Sequence, residues 1–317
     1  MSVFNPNEYV FRKLKRAGKR MPKELFVCEE KLDGESYMLM QGAAYGRGIS
    51  TVTHRRENKW EGLPPWIKDQ AQPDLLVHGE LHVEGGTSSD VKSALCEGRD
   101  SGWDSDLAKR LRFTAHNIVH SNAGVLVQRD KLRSLGFEVP RALRIMSAKE
   151  GTWKLTSHWN NTTTPVLDTG MATTEQLIEI AKQEGIEGWV LKELGSSGKW
   201  WKLKVTWDYD CVVMGTKDGK GQFYGDVGAL KVGMFEDTPS TGNTSCRQLV
   251  EVARCSGMTE EERAWMTQHR NELVGKVCVV TANGVCSLGR LHHPRFVRWR
   301  DDKPAHECTI DQLEEKR

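Results

Sequence analysis

The 317-residue sequence predicts an α+β domain with antiparallel sheets over residues 1–208, followed by a small all-β barrel domain over residues 209–317. Three observations support this prediction. At about 100 to 200 residues per domain, the length suits two domains with cores of their own. In the first part, segments of alternating β-type residues surround one clear helix. In the second part, short strands follow each other between glycine-rich turns, as in small barrels.

The first domain is predicted from three strand-like segments and one helix. Residues 26–42 carry β-type residues on both sides of an Asp-Gly pair, which predicts strand, turn and strand, with Lys31 at a strand end. Residues 74–85 and 111–120 are also rich in β-type residues. In residues 174–185, apolar side chains recur at helical spacing before a terminal glycine, which predicts a helix. The strand-like sequences IEGWVLKE and WWKLKV follow it.

The second domain is predicted from the stretches GTKDGKGQFYGDVGALKVGMF, LVGKVCVVTANG and HPRFVRWRDDK. A helix over residues 259–273 interrupts these strands and begins at Thr259, which acidic residues follow in the first turn. This order is typical of a small Greek-key barrel of about 100 residues. Between the two regular regions of the chain, the polar, threonine-rich residues 147–170 predict a surface excursion.

The composition excludes several classes of protein. Because 45 Lys and Arg face 43 Asp and Glu, any nucleic-acid binding must come from local patches such as the basic residues 12–20. That run is either a solvated helix or arm, or a patch that contacts phosphates. No apolar run reaches the length of about 18 residues that a membrane span needs. The eight cysteines without CxxC pairs, and an N-terminus without a signal-type apolar run, predict an intracellular protein with reduced thiols.

The candidate catalytic residues lie in five short motifs. Lys31 precedes Asp33 by two residues at a sharp turn, where a glycine lets the chain approach a phosphate closely. Taken alone, this KxDG pattern is also typical of an ordinary turn with a surface lysine. The motifs that follow it in order are HGEL with Glu80, EGWVLK with Glu187 and Lys192, WKLK with Lys202 and Lys204, and RWRDDK with Arg298, Arg300 and Lys303.

With these five motifs, residues 24–304 resemble the covalent nucleotidyltransferase superfamily, and within it the ATP-dependent DNA ligases of small viral or bacteriophage type. The resemblance implies an adenylation domain of antiparallel sheets followed by an oligonucleotide-binding-fold (OB-fold) barrel. It also implies that Lys31 attacks the α-phosphate of ATP and expels pyrophosphate. AMP would then pass to the 5′-phosphate of a nick, and the 3′-hydroxyl would displace it.

The resemblance implies roles for the charged residues around the transferred phosphoryl group. Cations stabilise such a group by position and charge, and we assign Lys202, Lys204 and Lys192 to that work. Glu187 is the expected ligand of Mg²⁺ or Mn²⁺, since a hard cation takes one or two carboxylates and keeps several waters. Asp33 would orient Lys31 or a metal-bound water, although an Asx turn alone would also explain it.

The nucleotide itself needs further contacts, which the resemblance also implies. Glu80 would bind the ribose, and Glu29 would read the adenine amino group. His116 occupies the position where the family has a stacking Phe or Tyr, and an imidazole can also stack on adenine. Arg47 resembles the family arginine that contacts phosphate or ribose. Trp189 lies either on the other side of the pocket or in the core.

Two positions depart from the family pattern. The family usually has KxDGxR, but Ser36 stands here at the arginine position. That change removes a cation expected near the nick phosphate or ribose, so that either Arg47, Arg55 or Arg56 substitutes for it or the protein engages the nick more weakly. The second departure is His78 in HGEL, where Asp is more frequent, and we expect no consequence for the glutamate of that motif.

The RWRDDK motif lies in the predicted barrel, far in sequence from Lys31. The resemblance implies that the barrel closes over the nucleotide and brings Arg298, Arg300 and Lys303 onto the pyrophosphate, with a hinge near residues 208–210. The partner would be nicked duplex DNA, bound through its backbone without sequence preference by residues 12–20 and 216–222. We expect a monomer that does not bind membranes.

Three other functions stay open at this stage. An RNA ligase and an mRNA-capping guanylyltransferase belong to the same superfamily, and labelling by GTP rather than ATP would reveal the latter. From a different class, the chain would be a nick-binding protein without catalysis. Failure to form any covalent adenylate would support that alternative.

Overall fold

The computed structural model describes residues 5–7, 14–16, 26–149, 152–158, 171–172, 174–194, 199–238, 246–286 and 288–314. The chain divides into two compact units, unit 1 (Met1–Val205) and unit 2 (Thr206–Arg317). Within the described ranges, no helix combines the length and the apolar character that crossing a membrane requires.

The strands of unit 1 are β1 (Lys15–Arg16), β2 (Phe26–Glu30), β3 (Gly34–Met40), β4 (Ala43–Gly46), β5 (Val77–Val83), β6 (Leu111–Ile118), β7 (Ala142–Lys149), β8 (Thr152–His158), β9 (Met171–Ala172), β10 (Gly188–Glu193) and β11 (Trp200–Lys204). Its helices are α1 (Pro65–Lys68), α2 (Ser88–Ser101), α3 (Asp106–Lys109), α4 (Val125–Ser134) and α5 (Thr174–Gln183). Unit 2 has the strands β12 (Trp207–Asp218), β13 (Val227–Thr238), β14 (Cys246–Cys255), β15 (Val277–Ala282) and β16 (Arg295–Trp299), and the helices α6 (Glu260–Gln268) and α7 (Asp311–Glu314).

Unit 1 contains two sheets, and the predicted α+β class with antiparallel sheets is confirmed. Sheet A has the strand order β1-β11-β10-β2-β7-β8-β9, and sheet B has the order β4-β3-β5-β6. Every strand pair in them is antiparallel except β1 with β11. The two strands around the Asp-Gly pair do not form a hairpin, because β2 lies in sheet A and β3 in sheet B. Residues 31–33 therefore connect the two sheets.

Close packing at sheet B fixes two glycines beside the candidate site. A Cβ at Gly34 would overlap the carbonyl oxygen of Leu81 on the neighbouring strand β5, and one at Gly79 would overlap the carbonyl oxygen of Thr114 on β6. The DG and HGE motifs therefore need glycine for close strand packing. Helix α2 covers this sheet, and its first turn is fixed by Asp90, whose carboxylate accepts a hydrogen bond of 2.7 Å from the backbone N–H of Thr87.

The predicted helix over residues 174–185 is α5, with Leu177 and Ala181 buried on one face. Its end is set by Gly185, whose φ of 65° is a left-handed conformation that glycine adopts without strain. The indole N–H of Trp189 donates to the carbonyl oxygen of Leu177 at 2.7 Å, and this tryptophan is 1% exposed. Trp189 was expected either on the other side of the pocket or in the core, and in the structure it lies in the core.

Unit 2 is built on one antiparallel sheet with the order β14-β13-β12-β15-β16. Its core is formed by apolar side chains of these strands, including Tyr209, Val213, Leu230, Val280 and Phe296. The two edges of the sheet meet at a single bridge between Ser256 and Arg295, where Phe296 N donates to Ser256 O at 2.9 Å. A continuous ladder between the edges, and hence a closed barrel, is not present among the described residues.

Helix α6 begins as predicted and ends early. Thr259 accepts a hydrogen bond of 3.2 Å from Glu262 N, and the Glu262 side chain accepts one of 2.7 Å from Thr259 N, so that both ends of a capping box are formed. The helix ends at Gln268 because His269, with ψ of 23°, leaves the helical conformation. A 3₁₀ turn, Arg270–Glu272, takes the place of the last predicted helical turn.

Three further predictions concern connections. In the basic run 12–20 the described residues are 14–16, of which Lys15 and Arg16 form a strand parallel to β11 instead of a helix or arm. In the predicted excursion 147–170, residues 147–149 and 152–158 belong to strands. Its other residues lie outside the described residues. The predicted hinge residues 208–210 lie within β12 and pair with β15. In the sequence, unit 1 ends at Val205 and unit 2 begins at Thr206.

Candidate active site

The end of sheet A brings Lys31, Glu187 and Lys204 together, and we call them the Lys31 cluster. Lys31 follows β2, and its backbone N–H donates to Gly188 O at 2.9 Å. Glu187 immediately precedes β10, and Lys204 ends β11 opposite Gly188. Three residues that are 17 to 173 positions apart in sequence therefore meet because three adjacent strands end at the same level of the sheet.

The Glu187 carboxylate lies between the two lysines of the cluster. Its Oε2 contacts Nζ of Lys31 and its Oε1 contacts Nζ of Lys204, while the three side chains are 16%, 8% and 26% exposed in the order Lys31, Glu187 and Lys204. Burial alone would raise the pKa of Glu187, but the two ammonium groups outweigh burial and lower it. The cluster thus holds a carboxylate ionised beside a lysine amine that a ligand can still reach.

A second carboxylate, Glu29, lies deeper in the same sheet. Its Oε1 is 2.7 Å from an Arg129 guanidinium nitrogen, and its Oε2 is 2.6 Å from Nζ of Lys192. We call these three residues the buried cluster, since their side chains are 1% to 3% exposed. Burial opposes ionisation of Glu29, but Lys192 and Arg129 prevail and lower its pKa. Helix α4 supplies Arg129, which the sequence motifs did not point to.

The contacts of Lys192 bear on its predicted role at the phosphoryl group. Besides Glu29, its Nζ donates to the carbonyl oxygen of His116 at 3.2 Å and lies 4.1 Å from the centre of the Trp200 ring. The structure therefore shows Glu29 and Lys192 bound to each other and to further groups of unit 1.

Two histidines, His78 and His116, lie close to Glu80 on neighbouring strands of sheet B. The rings of His78 and His116 meet edge to face with centres 6.0 Å apart, and Nε2 of His116 is 3.7 Å from Oε2 of Glu80. Burial lowers the pKa of each histidine to about 3, so both are neutral at neutral pH. Burial raises the pKa of Glu80, against the opposing charge of Lys31. Nδ1 of His116 is buried without a hydrogen-bond partner in the described structure.

A groove of about 400 Å³ opens between β3, β4 and β5. We call it the β3–β5 groove. Its lining combines three cationic side chains, two carboxylates and small residues: Gly34, Glu35, Ser36, Gly46, Arg47, Gly48, Lys59, Glu80 and Lys92. Of the predicted cofactor contacts, Arg47 and Glu80 belong to this groove. Lys59 and Lys92 were not singled out from the sequence.

The remaining predicted residues of unit 1 are Asp33 and Lys202. Asp33 is half-buried in the connection between the two sheets, one residue before β3. Lys202 lies on β11 opposite Val190, and since side chains alternate along a strand it is on the same face as Lys204. Both predicted residues therefore lie on the segments that form the Lys31 cluster.

The predicted cations of unit 2 form a cluster around one carboxylate. Asp210 is 3.1 Å from an Arg300 guanidinium nitrogen and 2.8 Å from Nζ of Lys303, and we call these three residues the outer cluster. Arg300 also contacts Asp302 at 2.9 Å. The hydrogen bond to Asp210 raises the pKa of Lys303. Arg298 is exposed on β16 and donates to the carbonyl oxygen of Trp299 at 3.3 Å.

Unit 1 offers single carboxylates that a metal ion could use. Among the described residues, no group of three or more His, Cys, Asp and Glu side chains is arranged to hold one. A hard cation such as Mg²⁺ needs only one or two protein carboxylates, because it keeps several waters. Glu187 fits that need through an oxygen that now contacts a lysine.

Comparison with known proteins identifies the fold. No family model and no curated protein matches the sequence. Among solved structures, one from a structure-function analysis of Lig E DNA ligases, described as binding DNA with a minimal scaffold, is similar to this chain with a TM-score of 0.57 and 19% identity, over 91% of this chain and 98% of that one. In its fold, the chain resembles DNA ligases. The resemblance predicted from the five motifs is thus confirmed.

Two further solved structures support the same fold. Pmar-Lig_Pre has a TM-score of 0.54 and 15% identity over 88% of this chain, and Pmar-Lig_PreS3 has 0.53 and 16% over 87%. In both cases the match covers 64% of the other chain, so this chain spans just under two thirds of their length. At these identities the comparison establishes the fold, and the role of each residue has to be argued from the site.

Proposed function

We propose that the chain is an ATP-dependent DNA ligase that seals nicks between a 5′-phosphate and a 3′-hydroxyl through a lysyl-AMP intermediate on Lys31. The Lys31 cluster is the observation that carries this proposal. It places a reachable primary amine against an ionised carboxylate and a second cation, at the end of three strands. The fold shared with DNA ligases supports the same chemistry.

The first step needs a neutral amine and a stabilised leaving group. In this proposal, Nζ of Lys31 forms a bond to the α-phosphorus of ATP while the bond to the bridging oxygen breaks, so that pyrophosphate leaves with the electron pair. Glu187 contacts the reacting Nζ and is the acceptor closest to its proton. Lys204, on the other oxygen of Glu187, offers positive charge to the α-phosphate.

The nucleotide would occupy the region between the Lys31 cluster and the two neutral histidines. Glu80 is proposed to bind the ribose, and His116 to stack against the adenine. Glu29 is proposed to read the adenine amino group and Lys192 to stabilise the transferred phosphoryl group, and the contact between the two side chains holds both in place. A bound Mg²⁺ would neutralise phosphate charge at Glu187.

The two units have different tasks in the proposal. Unit 1 corresponds to an adenylation domain, and unit 2 to an OB-fold domain whose five strands have the connectivity of a Greek-key barrel. Arg298, Arg300 and Lys303 of unit 2 are proposed to contact pyrophosphate in the first step. The partner would be nicked duplex DNA, held through its backbone without sequence preference, by a monomer inside the cell.

Covalent labelling tests the proposal directly. The wild-type protein, Lys31→Ala and the surface control Lys109→Ala are incubated with α-labelled ATP or GTP and Mg²⁺, then separated by denaturing electrophoresis. We expect label from ATP on the wild type and on Lys109→Ala, and none on Lys31→Ala. A chase with nicked DNA should then release AMP and join the strands.

Other outcomes of this experiment would contradict the proposal. Label from GTP alone would indicate a capping-type guanylyltransferase, and joining of RNA nicks in preference to DNA nicks would indicate an RNA ligase. Label that survives in Lys31→Ala would move the nucleophile elsewhere. Without label from either nucleotide, the chain would be a nick-binding protein.

A further inference from the structure

The connection between β12 and β13 in unit 2 carries the most exposed large apolar side chain among the described residues. Residues 219–226 form this connection, and we call them the Tyr224 loop. Tyr224 is 89% exposed. From the sequence, residues 216–222 were expected to contact the DNA backbone, and no role was predicted for this tyrosine.

Hydrogen bonds and glycines fix the shape of the Tyr224 loop. The backbone N–H of Gly219 donates to Asp226 O at 2.9 Å, and that of Tyr224 donates to Gly221 O at 3.1 Å. A Cβ at Gly219 would overlap the carbonyl oxygen of Phe223, so the two ends of the loop need glycine to approach each other. Gly221 has a φ of 61°, a left-handed conformation that glycine adopts without strain. The backbone that carries the tyrosine is therefore ordered by the protein itself.

Helix α6 and the 3₁₀ turn after it hold the loop from one side. The guanidinium of Arg263 lies 4.2 Å from the centre of the Phe223 ring. Nη1 of Arg270 is 2.6 Å from Oδ1 of Asp218, the last residue before the loop. The loop thus packs its phenylalanine against an arginine of the helix and leaves Tyr224 in solvent.

Other aromatic side chains of unit 2 have partners inside the unit. Trp265 stacks on His269 with ring centres 4.6 Å apart, and Trp299 meets Phe296 edge to face at 5.1 Å. The ring of Tyr224 is open to a ligand instead. A flat ring with two rotatable bonds, on a backbone that is already ordered, loses little conformational freedom when a ligand covers it. This tyrosine has the properties of a stacking surface.

The surroundings of Tyr224 decide the class of ligand. Its exposed neighbours are glycines, a glutamine, Lys217 and Lys220, and they lack the apolar surface that the core of a protein interface needs. Of the two carboxylates in the segment, Asp218 is paired with Arg270, so the lysines leave the loop positive. An exposed aromatic ring beside cations is the combination that binds single-stranded nucleic acid, because the ring stacks on a base and the cations meet phosphates. Bases inside a duplex are already stacked on both sides, so the ring suits an unpaired base.

We propose that the Tyr224 loop binds a single-stranded segment of DNA, with the Tyr224 ring stacked on an unpaired base and with Lys217 and Lys220 on the flanking phosphates. The inference goes beyond the proposed nick sealing, because this contact involves no covalent step and lies within unit 2. It rests on the proposed function only for the choice of DNA as the nucleic acid. The loop then gives the protein a preference for DNA that carries a single-stranded tail or gap.

Two DNA hairpins that differ only in a single-stranded tail test the role of Tyr224. Fluorescence anisotropy is measured without ATP, with a blunt hairpin and with the same hairpin carrying a short 3′ tail of thymidines. We expect the wild type to prefer the tailed hairpin by about tenfold, as one base–aromatic stack would provide, and Tyr224→Ala to lose that preference. Tyr224→Phe should retain it. Tyr224→Leu should lose it, because leucine offers apolar surface without a planar ring.

The salt dependence of binding tests the two lysines. Each phosphate contact with a single strand contributes about 0.7 to the slope of log affinity against log salt concentration. The slopes for the tailed and the blunt hairpin should therefore differ by about 1.4 in the wild type, and Lys217→Ala combined with Lys220→Ala should abolish the difference. The control Lys109→Ala, in unit 1, should leave it unchanged. An equal fall of both slopes in the double variant would place the lysines on duplex DNA and overturn their assignment to the tail.

Four results would overturn the inference about the tyrosine: no preference for the tail in the wild type, an unchanged preference in Tyr224→Ala, a retained preference in Tyr224→Leu, or its loss in the control Val274→Ala, which removes another exposed apolar side chain of unit 2. Thermal melting shows whether each variant is folded, and Tyr224→Phe provides a second variant at the same position. ATP labelling of the wild type is measured in parallel. Failure of labelling would overturn the proposed function, whereas the anisotropy measurement decides about the Tyr224 loop on its own.

Discussion

Both units hold a carboxylate between two cations, but they differ in how far water reaches it. In the buried cluster of unit 1, Glu29 is 2% exposed, and both of its oxygens lie within 2.7 Å of a cation. In the outer cluster of unit 2, the Asp210 side chain is 16% exposed, and its arginine also binds Asp302 at the surface. The Lys31 cluster lies between these extremes, with Glu187 at 8%.

The difference shows which of these ion clusters can take part in chemistry and which one supports the fold. A buried charge that loses its partner has no water to replace it, so the buried cluster should be intolerant of change. An exposed pair is screened by solvent and is readily exchanged. In the Lys31 cluster, the lysine amine contacts a carboxylate and can still be reached by a ligand. A group that must leave its partner in order to react needs both properties.

The largest effect should come from Glu29→Gln. The amide keeps the shape of the side chain but leaves Arg129 and Lys192 without a counter-charge inside unit 1. Breaking a buried ion pair in this way typically costs about 3–5 kcal/mol. Urea unfolding should show that loss in the free energy of unfolding, whereas Glu61→Gln, on an exposed partner of Lys68, should show almost none. Equal unfolding of both variants would mean that packing alone holds the buried cluster.

A smaller effect, on activity rather than stability, is expected from Glu187→Gln. The amide cannot take the proton of Lys31 and is a poorer metal ligand, so the initial rate of labelling by ATP should fall about 100-fold. The free energy of unfolding should change less than in Glu29→Gln, because Lys31 and Lys204 keep 16% and 26% of their side chains exposed to water. Faster labelling in Glu187→Gln would show instead that the carboxylate only restrains the amine, which would contradict the role proposed for it.

The Lys31 cluster illustrates what the sequence could predict. Lys31, Glu187 and Lys204 each lie next to a short strand-like segment, and the motif order indicated that these strand ends belong to one site. The α+β class followed from the same alternation of apolar and polar residues. The sequence could not show that β2 and β3 enter different sheets, because an Asp-Gly pair between two strands usually indicates a hairpin.

Contacts that depend on strand register could not be predicted from the sequence. Ser36 and His78 are 42 positions apart, and their hydrogen bond depends on how β3 and β5 align, which no local pattern encodes. The structure shows that the two positions that depart from the motif are in contact with each other. The expectation that His78 leaves the role of Glu80 unaffected stays a prediction. Arg129 and Lys59 were missed for a related reason, since each lies outside the motifs and reaches the site only through the fold.

Acidification should destabilise unit 1 through its two buried histidines. Burial lowers the pKa of His78 and of His116 to about 3, while an unfolded chain has histidine pKa values of about 6.5. The unfolded state therefore binds more protons between these values, so the stabilisation is complete above about pH 6.5 and is lost as the pH falls toward 3. Each histidine adds a slope of about 1.4 kcal/mol per pH unit within this window.

Urea unfolding at pH 7, 6 and 5 measures that slope. His78→Gln should reduce the slope by the contribution of one histidine. The control His54→Asn, at an exposed position, should leave the slope unchanged. In this range Glu29 and Glu187 stay ionised, because their pKa values are lowered. The raised pKa of Glu80 acts in the opposite direction, and burial, its largest cause, is common to the wild type and to both variants, whereas the smaller influence of His78 on it is absent from His78→Gln. An unchanged slope in His78→Gln would show that His78 takes up a proton in the folded protein.

The smallest effect on stability should come from Asp210→Asn in the outer cluster. Its partners Arg300 and Lys303 are open to water, so solvent can replace the lost contacts, and the melting temperature should stay close to that of the wild type. If these cations contact pyrophosphate as proposed, removing a competing carboxylate should raise the initial rate of labelling at low ATP concentration. A fall in that rate as large as in Glu187→Gln would place Asp210 in the chemistry of the first step. The outer cluster would then resemble the Lys31 cluster in function, and exposure alone would not separate the two.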